Sequence, residues 1–354
     1  MGVSGSQPVP GPLGAYKKDT FLPNPANNYP LSPNSRFKIE PVKRVFKTPP
    51  LASKSIFHYL PSPSKSSPAS NMSDSPKWAR SQGSITDLHW RGDGQVPRTG
   101  LSAGPSAVVF QDKIYCFHQG SRNRGELWFN VYEDFQWRGD QKVANVGMSA
   151  GPSAVIFNDK VYVFHQGGGN NGELWFNVMS AAPSAVIFHG TICVFHQGGG
   201  NNGELWYSVY DGGRWWGDSK VPNVGMSDSP TATYIPYNDT IQVLHQGCGN
   251  NGKLWGNAFN GSRWFGDEKV QNVGTSTSPS AVAFDNKLFC FHQGGGLNGE
   301  LWVDQFNGEY WEGDNRVSNT GMSADPSAVV YHGKIYLFHQ GDGNNGQLWF
   351  NVLE

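Results

Sequence analysis

The chain has 354 residues, of which 45 are glycine, 23 are proline and 13 are tryptophan. So many helix breakers exclude a mainly helical protein, and the aromatic content supplies enough apolar surface for a buried β-core. The net charge of −1 divides unevenly, with +7 on residues 1–71 and −8 on residues 72–354, which excludes a nucleic-acid-binding core.

The first 71 residues are rich in Pro, Ser and Lys, as in LPSPSKSSPAS, and poor in periodic apolar positions. Such a segment cannot bury enough apolar surface to offset its ordering entropy. We therefore predict a disordered basic tail over residues 1–71 and a folded domain over residues 72–354. The sequence contains no apolar stretch typical of a membrane span or a secretory signal, so a cytoplasmic or non-classically released protein is expected.

The domain is built on a repeat that contains His-Gln-Gly and has a usual period of 47 residues, which is typical of β-propeller blades. In chain order, each unit reads as SAVIF, KVYVFHQ, GELWFNV and a segment around W-x-G-D, separated by turn residues such as NDK, GGGNNG and DGG. We predict an all-β propeller of four-stranded antiparallel blades. Six units are clear, and a degenerate seventh is indicated at 72–76, where MSDSP repeats residues 226–230. The repeated histidines are His118, His165, His196, His245, His292 and His339.

The two ends of the repeat array complement each other. The chain ends at LWFNVLE with no W-x-G-D segment after it, and an unaccompanied WRGD occupies residues 90–93. The N-terminal strand is therefore expected to complete the last blade and close the ring. One histidine spacing is only 31 residues, because a strand is missing near residues 177–180. A real deletion and an error in gene prediction both explain this gap, and we favour the second.

The third strand of each unit has two different faces. Alternation places Leu, Phe and Val of GELWFNV on one face and Glu, Trp and Asn on the other. A sugar ring presents an apolar C–H face and a rim of hydroxyls, so its binding site needs an aromatic plate beside a carboxylate or an amide. The Glu-x-Trp-x-Asn face supplies such a set.

The combined motif PSAVxF…FHQGxGNNGELWxNVYDG…WxGDxxVxNVGMS resembles the PLL-type lectins of Photorhabdus over roughly residues 72–354. The resemblance implies a seven-bladed β-propeller that recognises L-fucose and O-methylated sugars at sites between blades and is often oligomeric. The chain departs from that family in lacking one strand near residue 178, in its reduced first unit and in its basic tail.

Two tryptophans in each unit are candidates for sugar contact. The first lies in Glu-x-Trp. In two units the glutamate is replaced, by Lys253 or by Gln347, and binding at those sites is expected to be altered or lost. The second lies in W-x-G-D. Blade packing explains periodic tryptophans equally well, so the sequence leaves open which of them contacts sugar. The candidates are Glu126, Trp128, Asn130, Glu173, Trp175, Asn177, Glu204, Trp206, Trp255, Glu300, Trp302 and Trp349, with Trp90, Trp137, Trp215, Trp264 and Trp311 in W-x-G-D.

The repeated histidines could suggest a ring of metal ligands. Each one, however, has a serine from PSAV and an aspartate from W-x-G-D in its own unit as hydrogen-bond partners, so a structural network is favoured. The aspartates, such as Asp140 and Asp267, are interpreted as turn-fixing acceptors. Cys116 and Cys290 occupy equivalent places in different repeats, which predicts free thiols. No metal and no cofactor are expected.

Three classes of function fit a propeller: a lectin, a scaffold for protein interaction and an enzyme such as a glycosidase. An enzyme needs a unique acid and base pair, whereas the carboxylates here repeat with the blades. A scaffold needs a varied rim, whereas the GGGNNG turns are nearly constant. The sequence therefore predicts a multivalent lectin with cell-surface glycans as partners and the scaffold as the alternative.

Overall fold

In the computed structural model, the chain is described over residues 88–122, 125–168, 181–199 and 202–354. These residues form an all-β structure in which the only helical element is a 3₁₀ turn at Asp342–Asn344. Within the same residues no helix has the length and apolar character needed to cross a membrane. The predictions for the tail at 1–71 and for the seventh unit at 72–76 lie outside the described residues.

The strands of the described residues form four four-stranded antiparallel sheets, one five-stranded sheet in which the outer strand is split into two, and one two-stranded sheet, each corresponding to one repeat. The described residues thus contain five complete blades and part of a sixth, where the family resemblance implied seven. Blade 1 contains β2 (Ser106–Phe110), β3 (Lys113–Gln119), β4 (Glu126–Glu133), β5 (Gln136–Trp137) and β6 (Gln141–Gly147); blade 2 contains β7 (Ser153–Phe157) and β8 (Lys160–Phe164); blade 3 contains β9 (Ser184–Phe188), β10 (Thr191–Gln197), β11 (Glu204–Tyr210) and β12 (Trp215–Gly225). Blade 4 contains β13 (Thr231–Ile235), β14 (Thr240–Gln246), β15 (Lys253–Phe259) and β16 (Glu268–Gly274); blade 5 contains β17 (Ser280–Phe284), β18 (Lys287–Gln293), β19 (Glu300–Phe306) and β20 (Asn315–Gly321); blade 6 contains β21 (Ser327–Tyr331), β22 (Lys334–Gln340), β23 (Gln347–Leu353) and β1 (Gly94–Gly100).

The predicted closure of the ring is confirmed. Strand β1, from the N-terminal side of the domain, pairs antiparallel with β23, the last strand of the chain. A further bridge joins Trp90 to Leu353. The innermost strands contact one another in a closed circle, in the order β2, β7, β9, β13, β17, β21 and back to β2. Joining the two ends of the repeat array in one blade removes an exposed sheet edge.

Blade 2 is the unit of which the described residues show two strands. Its strands β7 and β8 pair over Ser153–Phe157 and Lys160–Phe164. The 177–180 junction that the sequence marks as irregular lies within 169–180, outside the described residues. Blade 2 still belongs to the ring, because the backbone N–H of Ala185 in blade 3 donates to the Ser153 hydroxyl at 2.9 Å.

The same bond recurs at the inner strands around the ring. The serine of each PSAV motif accepts from the backbone N–H of the alanine in the next blade, at 2.9 to 3.0 Å, and the bond is found at five of the blade junctions. The prediction that this serine bonds to the histidine of its own unit is therefore wrong. Its hydroxyl satisfies a backbone donor of the neighbouring blade and fixes the position of one blade against another.

The W-x-G-D tryptophans pack between blades. Trp264 of blade 4 meets the Phe195 ring of blade 3 edge-on, with ring centroids 6.0 Å apart. Edge-to-face aromatic pairs of this kind contribute about 0.5–1.5 kcal/mol each beyond area burial. Three further tryptophans repeat the contact with a phenylalanine of the preceding blade: Trp215 with Phe164, Trp137 with Phe338, and Trp90 with Phe291.

Candidate functional site

The His-Gln-Gly motif holds the framework beneath the candidate site. In blade 3, Nε2 of the fully buried His196 lies 2.9 Å from Oδ1 of Asp218, and Nδ1 lies 3.1 Å from the carbonyl oxygen of Gln197. Both ring nitrogens thus face acceptors, which ties the W-x-G-D segment to the second strand. The predicted histidine–aspartate network is confirmed here and in four more blades, as His118–Asp140, His245–Asp267, His292–Asp314 and His339–Asp93.

The glutamine of the motif holds the crossing between blades. Nε2 of Gln197 in blade 3 donates to the carbonyl oxygen of Met226, the residue after β12. The next residue, Ser227, donates through its hydroxyl to the carbonyl oxygen of Gly247 in blade 4. One two-residue segment is therefore anchored to both blades, which explains the serine of the GMS sequence at the end of the outer strand in blades 1, 3 and 5.

The glycine of the motif lies against the tryptophan of Glu-x-Trp. A Cβ added to Gly198 would lie 2.7 Å from Nε1 of Trp206. The same overlap occurs between Gly294 and Trp302, at 2.6 Å. Only glycine lets the indole rest directly on the backbone of the second strand. The indole therefore has one fixed orientation, a condition for presenting a flat apolar face to a ligand.

In blade 3, the carboxylate of Glu204 joins the groups around the indole. Its Oε2 accepts from Nε1 of Trp206 at 3.1 Å and from Nδ2 of Asn202 at 3.0 Å. Its Oε1 accepts from Nζ of Lys220, which lies opposite Trp206 on the outer strand. The bond from Lys220, followed by that from Trp206, lowers the pKa of Glu204, so the carboxylate is ionised at neutral pH. We call four groups together the tryptophan site. They are the indole of Glu-x-Trp, the residue at the glutamate position, the cation opposite on the outer strand and the asparagine two residues before the glutamate.

Blades 1 and 5 repeat most of the tryptophan site, except that Arg124 stands in place of the asparagine in blade 1 and Nε1 of Trp302 has no hydrogen-bond partner in blade 5. In blade 1, Trp128 Nε1 donates to Glu126 Oε2 at 3.3 Å, and Lys142 Nζ lies 2.6 Å from Glu126 Oε1. In blade 5, Asn298 Nδ2 donates to Glu300 Oε2 at 2.8 Å, and an arginine takes the place of the lysine, with Arg316 Nη2 lying 3.1 Å from Glu300 Oε1. In all three blades the tryptophan is half-buried, so its indole is held by the protein and still reaches the surface.

Blades 4 and 6 keep the indole and change its partners. In blade 4, Lys253 replaces the glutamate beside Trp255, and Lys269 lies opposite the indole on the outer strand. In blade 6, Gln347 precedes Trp349, and the residue opposite is Gln95, so this site carries no charge at these two positions. The blade 2 candidates Glu173, Trp175 and Asn177 lie outside the described residues.

Each tryptophan site borders the next blade. In blade 3, Glu204 pairs with Gly225 at the end of the outer strand. A Cβ added to Gly225 would lie 3.1 Å from the Cβ of Cys248, in the loop of blade 4. In blade 5, Glu300 pairs with Gly321 in the same way. A ligand on the indole would therefore lie near the seam between two blades, with loop residues of both within reach.

The asparagine of Glu-x-Trp-x-Asn does not belong to this surface. Asn130 is fully buried, and its Nδ2 donates to Oγ1 of Thr99 in blade 6 at 2.8 Å. Its Oδ1 accepts from the backbone N–H groups of Val131 and Gly139 at 2.8 and 3.1 Å. Asn130 shares a strand face with Glu126, as predicted, but the prediction that it is a sugar ligand is wrong, because its amide is bonded within the protein.

The alternative set of tryptophans is placed in the blade interfaces. Trp311 is 1% exposed and packs in an apolar cluster with Leu244 of blade 4. Trp137, Trp215 and Trp264 are half-buried and make the interblade aromatic contacts described above. Of the two tryptophans in each unit, the one at the Glu-x-Trp position is therefore the one with a charged side chain beside its indole in blades 1, 3, 4 and 5.

The sequence reasoning missed two partners of the indole. One is the asparagine two residues before the glutamate, seen in Asn202 and Asn298. The other is the cation of the outer strand, seen in Lys142, Lys220 and Arg316. A signal for the cation was present, because W-x-G-D-x is followed by Lys or Arg in four units.

The structure is similar to solved β-propellers at low sequence identity. A triple arginine-to-alanine mutant of AofleA from Arthrobotrys oligospora matches with a TM-score of 0.58 and 14% identity, covering 78% of this chain and 90% of that one. Aleuria aurantia lectin in complex with Fucα1-6GlcNAc matches at 0.53 and 15%, over 72% and 93%. SapL1 lectin in complex with α-methyl fucoside matches at 0.55 and 14%, over 72% and 94%. These likenesses establish a shared fold. No family model and no curated protein matches the sequence.

Proposed function

We propose that this protein is a multivalent lectin that binds neutral glycans, with L-fucose or O-methylated sugars as its ligands, at the tryptophan sites of successive blades. The observation that carries the proposal is the half-buried indole held flat on a glycine and joined to an ionised carboxylate, as in Trp206 with Glu204. An indole contacts the apolar face of a sugar ring, and a carboxylate with an adjacent cation exchanges hydrogen bonds with its hydroxyls.

Repetition of the site determines the expected binding behaviour. The Glu-x-Trp site occurs in three of the described blades, 1, 3 and 5. One indole contact and a few hydrogen bonds in competition with water amount to a few kcal/mol, so we expect dissociation constants of roughly millimolar to micromolar per site. Several such sites on one rigid ring bind a glycan-coated surface far more tightly, because each later contact is intramolecular.

Fold similarity supports the choice of ligand. The matched structures of Aleuria aurantia lectin and SapL1 hold fucosides, and the sequence motif resembles fucose-binding lectins. The carboxylates of the described blades are repeated from blade to blade, which fits repeated binding better than catalysis at one unique acid and base pair.

A glycan array with two variants of blade 3 tests the proposal. Trp206→Ala removes the indole of the tryptophan site. Trp216→Ala is the matched control, because its indole lies on the outer strand of the same blade and donates to Asp211 at 2.9 Å. We expect the wild type and Trp216→Ala to bind fucosylated or O-methylated glycans equally, with weaker binding by Trp206→Ala. Retention of no glycan by the wild type would reject the lectin in favour of a protein-interaction scaffold.

A further inference from the structure

The tryptophan site of blade 4 has the hydrogen-bond donors of its counterparts and lacks their acceptor. We propose that this site binds an acidic sugar, one that carries a carboxylate or a sulfate group, and so differs in specificity from the sites of blades 1, 3 and 5. The sugar part of the inference rests on the proposed lectin function, and the anion part is tested separately below.

Blade 3 shows what the donors are arranged to hold. The Glu204 carboxylate accepts from Asn202 Nδ2 at 3.0 Å, from Trp206 Nε1 at 3.1 Å and from Nζ of Lys220. Three donors from three different positions in the blade converge on one carboxylate. Charge-assisted hydrogen bonds of this kind are the stronger ones in proteins.

Blade 4 keeps the same backbone and the same donor residues. Trp255 is opposite Lys269 in the register, as Trp206 is opposite Lys220 in blade 3. Asn251 Oδ1 accepts from the backbone N–H of Lys253 at 3.0 Å, as Asn202 Oδ1 accepts from that of Glu204 at 3.0 Å. The asparagine therefore has the same orientation in both blades. The indole is also held in the same place, because a Cβ on Gly247 would lie 2.5 Å from Trp255 Nε1.

The acceptor is the part that has changed. Lys253 occupies the sequence position that Glu204 occupies in blade 3, so the site gains a cation where the others have a carboxylate. Trp255 Nε1 is buried and has no hydrogen-bond partner, but the same is true of Trp302 in blade 5 and Trp349 in blade 6, so the two lysines are what set blade 4 apart. Among the described residues, no carboxylate lies within ion-pair distance of Lys253 or Lys269, whereas the lysine or arginine opposite the indole in blades 1, 3 and 5 is paired. Two cations with no carboxylate paired to them give this site a positive charge, which favours an anionic ligand.

The neighbouring acidic residues do not fill this role. Glu268 precedes Lys269 on the outer strand, and successive side chains of a strand point to opposite faces. Asp267 is bonded to His245 at 2.9 Å. The loop of blade 5 that borders the site contributes Gly295, Gly296 and Leu297, which carry no charge.

An acidic sugar matches each part of the site. Its anionic group would take the place of the glutamate carboxylate between Lys269, Asn251 and Trp255, and Lys253 would add a second cation. The half-buried indole would remain available for the apolar face of the ring, as in the other blades. The substitution of Glu by Lys, which from sequence alone predicts an altered or inactive site, then changes the charge of the preferred ligand.

The test uses the indole N–H signals of the full chain, labelled with ¹⁵N-tryptophan, with Trp255→Phe and Trp206→Phe variants to assign two of them. D-glucuronate, D-glucose, inorganic sulfate and methyl α-L-fucoside are titrated separately at constant ionic strength. We expect glucuronate and sulfate to shift the Trp255 signal and glucose to leave it unchanged. Lys253→Glu, which restores the blade 3 arrangement, should weaken glucuronate binding by about tenfold or more. Glu204→Lys should create a second anion site that shifts the Trp206 signal.

The outcomes separate this inference from the proposed lectin function. A Trp255 signal that ignores both anions, or that responds equally in Lys253→Glu, overturns the inference. A response to sulfate without one to glucuronate overturns the sugar part, because the site then accepts a small anion only. If methyl α-L-fucoside fails to shift the Trp206 signal while glucuronate shifts that of Trp255, the neutral-sugar proposal fails and the anion site stands.

Discussion

Replacing Asp304 with asparagine should stabilise the protein, and the gain should grow as the pH rises. Asp304 lies in β19 and is fully buried. Its Oδ1 accepts from the backbone N–H groups of Gln305 and Gly313 at 2.7 and 3.0 Å, but its Oδ2 has no hydrogen-bond partner. Burial, and then the charge of Asp314, raise the pKa of Asp304 to about 7. Blades 1, 4 and 6 place an asparagine here, as at Asn351 in blade 6.

The direction and size of the effect follow from the raised pKa. The folded state binds the proton of Asp304 more tightly than the unfolded state, whose pKa is 3.8, so stability falls as the pH rises from about 4 to about 7. At about 1.4 kcal/mol per pKa unit, the penalty reaches about 4 kcal/mol above pH 7 and is about 2 kcal/mol at pH 5. Asparagine does not ionise, so Asp304→Asn should gain about 2–3 kcal/mol more at pH 8 than at pH 5.

Urea denaturation at pH 5 and pH 8, followed by tryptophan fluorescence, measures this difference. Asn351→Asp is the matched control, and it should lose stability as the pH rises. In the wild type, Nδ2 of Asn351 donates to Oγ1 of Thr320 on the outer strand of blade 5, at 3.3 Å. The residue equivalent to Thr320 on the outer strand of blade 4, which borders Asp304, is Val273. Adding Val273→Thr to Asp304→Asn should therefore increase the gain. An equal change in unfolding free energy at both pH values would refute the argument.

Two further predictions test the framework of the site and the closure of the ring. Gly198→Ala should displace the Trp206 indole, because the new Cβ would lie 2.7 Å from Nε1, and should abolish binding at the blade 3 site. Gly217→Ala, whose new Cβ would have no atom within 4 Å, should leave binding intact. Glycan binding and circular dichroism of both variants check this. Glu354, whose pKa is lowered to about 2 by hydrogen bonds from Arg91 and Lys334, joins the two ends of the domain. Glu354→Gln should lower the melting temperature at pH 7. The difference in melting temperature from the wild type should shrink below pH 4.5 and vanish near pH 2. A difference in melting temperature that does not depend on pH would contradict the role of the ion pair.

The sequence predicted the blades because their period and turn residues are local properties. The four-stranded pattern of the complete blades, the joining of β1 to β23 and the pairing of His196 with Asp218 all follow from what each repeat contains or lacks. The serine of PSAV was assigned to the wrong partner. Its hydroxyl bonds across a blade junction, as Ser153 does with Ala185, and a pattern within one unit carries no information about contacts between units.

The composition of the tryptophan site was only partly predictable. Strand alternation placed Glu126, Trp128 and Asn130 on one face, but it does not show that the far end of that face is covered by the outer strand of blade 6, where Thr99 bonds to Asn130. The cation was missed because the register shifts at a β-bulge. Glu126 pairs with Gly147, while Trp128, two residues later, pairs with Lys142, five residues earlier on the outer strand.

The most direct test of the central claim is calorimetric titration of the full chain with methyl α-L-fucoside, with stoichiometry as the readout. Sugar binding at repeated tryptophan sites predicts more than one fucoside per chain, with weak and similar affinities, and a stoichiometry that falls by one in Trp206→Ala while Trp216→Ala matches the wild type. Absence of binding heat at millimolar fucoside, or a stoichiometry unchanged by Trp206→Ala in a folded protein, would contradict it.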